Sequence, residues 1–88
     1  GNTMEITLRF FASVREALGT AEETLTLPAG VTTVGAVREH LMARGGEWEK
    51  ALAADQPLRT AFNHVMCPSD TPIEAGGEVA FFPPVTGG

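Results

Sequence analysis

Near its start the chain reads Glu5-Ile6-Thr7-Leu8-Arg9-Phe10, a polar-apolar alternation that suits a strand buried on one face only. Such a strand needs a layer to cover Ile6, Leu8 and Phe10, and the sequence offers one main helix for it. Thr33 stands where an N-cap is expected. Val34, Val37 and Leu41 then recur at helical spacing until Gly45-Gly46, where left-handed backbone carries no steric cost. Thr24-Leu25-Thr26-Leu27 alternates again and ends at Pro28, which has no amide for a ladder, and Glu78-Val79-Ala80-Phe81-Phe82 makes the last strand.

Between these anchors the reading is coarser. Ser13-Val14-Arg15-Glu16 has capping-box spacing and predicts a short helix to Leu18, stopped by Gly19. Trp48 and Leu52, four apart, predict a further helical turn or two before Asp55-Gln56-Pro57. A third strand is expected around Ala61-Phe62-Asn63, with His64 inside it, and a short edge strand at Thr71-Pro72-Ile73 before a turn at Ala75-Gly76-Gly77. The fold class is α+β, a mixed sheet covered by one main helix. Its predicted core is Ile6, Leu8, Phe10, Leu25, Leu27, Val37, Leu41, Phe62, Val79 and Phe81. Gly1-Asn2-Thr3 reads as an expression remnant before Met4, residues 4–82 as one domain, and residues 83–88 as an extended tail.

Several function classes drop out. With 88 residues the chain builds a single small core, and a net charge of −5 argues against gripping nucleic acid. An apolar share of 43% is too high for a disordered chain, yet no run approaches the ~20 apolar residues of a membrane span. The one cysteine, Cys67, suits a reducing, cytoplasmic setting and is too few for a zinc ribbon or an iron–sulfur cluster. His40 and His64 have no nucleophile at a recognisable spacing, and His64-Met66-Cys67 lacks the second ligand pair that zinc requires, so no metal is expected. Gly45-Gly46 closes a helix, whereas a phosphate cradle opens one. Glu22-Glu23 and Glu47/Glu49 read as solvated surface.

Chemistry concentrates at the end, Phe81-Phe82-Pro83-Pro84-Val85-Thr86-Gly87-Gly88. Two prolines remove two backbone donors and hold the preceding residues extended, so the last strand must leave its ladder. Six residues beyond Phe82, at roughly 3.1–3.4 Å each, carry the terminal carboxylate about 19–20 Å away. Gly87-Gly88 lacks Cβ atoms and fits a channel that larger residues would block. A frayed glycine end is the bland alternative; the rigid Pro-Pro exit weighs against it. Parity adds a second sign. If Phe10 and Phe81 face the core, Phe82 faces away from it and Phe11 starts on that same outer side, either exposed or covered by the short helix or a loop. Outward aromatics beside the exit would form a docking patch.

These residues resemble the small subunits of molybdopterin synthase, a family of ubiquitin-like sulfur carriers with the β-grasp fold. The likeness runs from Met4 to the end, through Phe10-Phe11-Ala12-x-Val14-Arg15-Glu16, Ala61-Phe62-Asn63 and the whole of Glu78 to Gly88. Gly-Gly alone would suit any ubiquitin-like carrier; Phe-Phe-Pro-Pro-Val before it is particular to this family. Two positions depart from the pattern. Phe62 stands where the family more often has a smaller β-branched residue, and Gly77 follows Gly76 where an Asp is common.

The resemblance implies that the Gly88 carboxylate, ionised and unreactive at neutral pH, is adenylated with ATP by an activating enzyme. A sulfur donor protein then converts it to a thiocarboxylate. The charged tail would enter the large subunit and give sulfur to the cyclic pyranopterin phosphate precursor of molybdenum cofactor. Gly88 is then the covalent carrier, Gly87 supplies clearance, and Pro83, Pro84, Val85 and Thr86 set direction and reach. Phe11 and Phe82 form the docking patch, with Met66 added by family position alone. No cofactor belongs to the chain itself, since ATP serves the activating enzyme. The net negative charge is consistent with basic partner surfaces. The alternatives are a carrier for thiazole or tRNA thiolation, a ubiquitin-like modifier, and, from another class, a binding module with an inert tail.

Overall fold

A computed structural model describes residues 3–53 and 55–84. In chain order the elements are β1 (Met4–Phe10), α1 (Ala12–Leu18), β2 (Glu22–Leu27), α2 (Val34–Met42), α3 (Glu47–Ala51), β3 (Arg59–Phe62), β4 (Val65–Met66) and β5 (Glu78–Phe82). The five strands form one sheet in the order β2-β1-β5-β3-β4. At its centre β1 and β5 run parallel, and the other pairs are antiparallel. This is the mixed sheet and main helix of a β-grasp fold, as expected.

Period-two patterning decides which side of the sheet is covered. Leu8 lies opposite Val79 and Phe10 opposite Phe81, so these four share the face on which α2 packs Val34, Val37 and Leu41. All three α2 residues are fully buried, each contributing about 1.5–3 kcal/mol of transfer free energy. Phe81 stacks on Phe10 with ring centroids 6.2 Å apart, and Trp48 meets Phe10 edge-on at 5.6 Å. Leu52 is fully buried as the residue that ends α3.

Helix α2 starts as the sequence requires, with the Thr33 hydroxyl accepting from the Ala36 amide at 3.1 Å. Its next two free amides are taken by the segment predicted as an edge strand and by the loop just before it. Val34 N–H donates to Thr71 O and Gly35 N–H to Ser69 O. Residues 71–73 therefore do not join the sheet. They make one isolated bridge, Thr33 to Pro72, and bury Ile73 beneath the helix start.

Other expectations need correcting. Ser13 lies inside α1 and caps nothing; the N-cap is Phe11, whose carbonyl accepts from Val14 and Arg15. The helix does end at Gly19, in left-handed backbone at φ 73. His64 is in no strand. Asn63 and His64, at φ 50 and 70, are the two central residues of a tight turn that pairs Phe62 with Val65, as positive φ at both positions demands. Asn63 pins this turn to β5, donating its amide to Glu78 O at 2.8 Å and accepting the Glu78 amide on its side chain at 2.9 Å. Leu25 and Phe62 face the core side but are only half-buried at its margin.

The two departures from the family pattern meet in space. A Cβ placed on Gly77 would lie 2.5 Å from both Cε1 and Cζ of Phe62. The larger ring occupies the room that the missing side chain leaves.

Candidate functional site

The sheet face away from α2 is open, and parity assigns its residues. Thr7, Glu78, Arg9, Ala80, Ala61, Arg59 and Phe82 all point to it, because each is in register with another member of the set and none with the core row. Phe11, still extended at φ −130 and ψ 154, continues the alternation of β1 onto this face. The chain then turns sharply at Ala12, whose φ of 51 is left-handed and costs a non-glycine residue roughly 1–2 kcal/mol. That turn sends α1 away and leaves the Phe11 ring 42% exposed.

Phe11 and Phe82 meet at right angles, ring centroids 6.2 Å apart. Together with Ala12, Pro83 and Pro84 they line an open apolar groove of about 410 Å³. The groove thus lies where β5 leaves the sheet. Pro83 and Pro84 are half-buried along it, so the exit of the chain is part of its wall. The question left open at Phe11 is settled: neither the short helix nor a loop covers it.

Met66 joins the same face by a different route. The Asn63-His64 turn reverses the chain, and Met66 falls opposite Ala61, itself opposite Ala80. Its side chain is 56% exposed. The small side chains of Ala61 and Ala80 leave the surface low between Met66 on one flank and the aromatic pair on the other. A complete hairpin, and not one continuous strand, therefore carries the chain from Ala61 to Met66. The remaining expected site residues, Val85, Thr86, Gly87 and Gly88, lie outside the described residues.

Electrostatic detail separates this face from the opposite one. Arg9 holds its guanidinium carbon 5.6 Å from the Phe11 ring centroid and approaches Glu78 at 3.9 Å. The Arg9 Nε is buried without a hydrogen-bond partner. His64 approaches Glu78 from the other side at 3.4 Å. On the helix side Glu23, expected to be solvated, instead pairs doubly with Arg44, which also lies over the Trp48 ring at 4.3 Å. The Arg44 hydrogen bonds hold the Glu23 carboxyl below its usual range and raise Arg44 in turn. Arg38 donates to the carbonyls of Leu52, Ala53 and Gln56, tying the end of α3 and the loop after it to α2, and burial pulls its pKa down.

A second concavity, about 500 Å³ and lined by Arg38, Cys67 and Ser69 among others, shares Arg59 and Met66 with the open face. No cluster of three metal-ligating side chains exists among the described residues, and among them no helix is long and apolar enough to cross a membrane.

Sequence parity reaches Phe11 and Phe82. Arg9 was within the same reach, as an alternating residue of β1, but Arg59 was not, because its facing depends on a β3 register that sequence alone leaves free.

Comparison with known proteins adds to this geometry. The ThiS family profile matches residues 8–88. A molybdopterin synthase sulfur carrier subunit from Escherichia coli (strain K12) is 45% identical over 83 residues, covering 94% of this chain and 99% of that protein. A protein of the same name from Haemophilus influenzae is 42% identical over 79 residues, covering 90% and 94%. Among solved structures, SAMP1 from Haloferax volcanii superposes with a TM-score of 0.77 at 25% identity, covering 96% of this chain and 99% of that one.

Proposed function

The chain belongs to the ThiS family, and from that premise we propose that it is the sulfur carrier subunit of a molybdopterin synthase. The observation that carries the reading is the aromatic groove at the proline exit, Phe11 and Phe82 beside Pro83 and Pro84. A partner that grips this groove also receives whatever follows Pro84. The names of the two relatives, over 40% identical along nearly their whole length, support the same assignment.

The chemistry follows from what a C-terminal carboxylate lacks. It is ionised at neutral pH and resists nucleophiles, so an activating enzyme joins the Gly88 carboxylate to the AMP moiety of ATP and releases pyrophosphate. A sulfur donor displaces AMP, leaving a thiocarboxylate. In the large subunit that sulfur forms a bond to a side-chain carbon of the cyclic pyranopterin phosphate precursor, and the oxygen which that carbon carried departs as water or as phosphate. Water then cleaves the acyl–sulfur bond and restores the carboxylate. A dithiolene needs two sulfurs, so two charged carriers are spent per product. This chain contributes the reagent and its placement; the nucleotide and the pterin bind to its partners.

The test is mass analysis of the purified chain after incubation with its activating enzyme, ATP and a sulfur donor. One oxygen replaced by sulfur at Gly88, and consumption of that sulfur on adding large subunit and precursor, is the expected result. No exchange overturns the reading. Exchange with no transfer to the pterin points instead to a thiazole or tRNA carrier or a modifier. Removing Gly87-Gly88 should abolish delivery while leaving docking; retention of delivery would leave only a binding module.

A further inference from the structure

The chain carries a net charge of −5, yet two arginines stand beside its aromatic pair. Arg59 opens β3 in register with Phe82, so the two side chains leave the open face as neighbours. Arg9 stands beside Phe11. Three other arginine contacts are internal: Arg44 holds Glu23, Arg38 holds three carbonyls, and Arg9 has Glu78 within 3.9 Å. Arg59 is exposed and has no ion pair or side-chain hydrogen bond among the described residues. The acids of this face are Glu5, Glu22 and Glu78: Glu22 is in register with Arg9, and Glu78, at the far end of β5 from Phe82, is flanked by Arg9 and His64, while none of the three is in register with Arg59.

Exposure alone would give Arg59 no role, since a lone surface arginine is content in water. Its place in the register does. Whatever covers Phe82 also strips water from the side chain beside it, and a desolvated guanidinium without a counter-charge is strongly unfavourable. The apolar contacts of Phe11, Phe82 and Met66 are also weakly directional. A planar guanidinium paired bidentately with a carboxylate supplies the missing direction and fixes rotation of the carrier about its exit axis.

We infer that Arg59 is the specificity-determining cation of the docking face and pairs with a carboxylate on the large subunit beside the opening that admits the tail. This rests on the carrier reading above. It also revises the simple expectation from net charge. The partner surface facing this patch is locally acidic, whatever its field elsewhere.

Association and dissociation rates of the full chain with the large subunit test it, measured at low and high salt for wild type, Arg59→Gln, Arg59→Glu and Arg59→Lys. Circular dichroism checks that each variant is folded. Arg59→Glu should slow association about tenfold or more at low salt, the gap closing as salt rises, with Arg59→Gln intermediate. Arg59→Lys should keep the association rate and dissociate faster, because it retains charge and loses the fork. Arg59→Glu or Arg59→Gln associating at the wild-type rate or above it overturns the inference while leaving the carrier reading intact. A wild-type chain that fails to bind the large subunit at all overturns both.

Discussion

Gly77→Ala is the smallest change that should register on this fold, and the structure says why. Gly77 is not among the glycines with positive φ, so its backbone accepts alanine. Space does not. The new Cβ would lie 2.5 Å from two Phe62 ring carbons, at least 1 Å inside the ~3.5–4.0 Å at which carbons rest against each other. Relief requires the half-buried ring to swing off the core margin, an overpacking cost of about 1–3 kcal/mol. Loss of glycine's freedom in the unfolded chain offsets about 0.4–1 kcal/mol of that. The net expectation is a loss of about 1–2 kcal/mol, or roughly 4–16 °C in Tm for a domain of this size. In a Phe62→Val background the ring is gone. Of the three atoms nearest the new methyl, Glu74 O at 3.1 Å is the one that stays in place, so Gly77→Ala should cost clearly less than in wild type. Urea denaturation of wild type, both single variants and the double variant closes the cycle, with a coupling of about 1–3 kcal/mol expected. Equal costs of Gly77→Ala in the two backgrounds would show that ring and glycine are independent and refute the reasoning.

Other perturbations probe other parts of the molecule. Phe82→Ala should weaken large-subunit binding by about 2 kcal/mol or more, as an aromatic anchor does; calorimetric titration showing unchanged affinity would remove Phe82 from the docking surface. Glu23→Gln should cost at most about 1 kcal/mol near neutral pH, since the pair is partly exposed. The folded-state pKa of Glu23 is lowered, so its stabilisation is present above the ordinary carboxyl pKa and fades as pH falls through the folded value. Wild type and variant should therefore converge in acid denaturation, and a gap that widens at low pH would contradict the sign. Arg38→Met leaves the carbonyls of Leu52, Ala53 and Gln56 without their donor and should cost about 1–3 kcal/mol in thermal unfolding; no loss would mean water replaces the guanidinium freely.

Regular alternation made β1, β2 and β5 legible, because a single buried face leaves its imprint every second residue. The same parity placed Phe11 and Phe82 outward. It failed where the chain changes direction without the usual marker. Asn63-His64 forms a two-residue hairpin turn with no glycine, so the strand around Ala61-Phe62-Asn63 read on through His64 and parity gave Met66 no facing. Ser13 and Glu16 had the right spacing for a cap, but the helix begins at Ala12 with Phe11 as its N-cap, so Ser13 already lies inside it. Glu23 with Arg44 and Phe62 with Gly77 join residues far apart in the chain, which no local pattern reports. Leu25 and Phe62 kept their predicted side but lie near the sheet margins, where the helix layer no longer covers them fully.

The parallel pairing of the first and last strands has a consequence for timing. β5 enters between β1 and β3, so until it has been synthesised the sheet is split into two halves with no middle. The aromatic groove is built from the end of β1 and the end of β5. On the proposed docking role, an unfinished polypeptide would offer the large subunit no handle, and binding at that groove would double as an inspection that translation has run past Phe82. Phe81 is held by β1 on one side and β3 on the other, and Phe82 by β3 alone, so fraying back past Phe81 has to break both ladders.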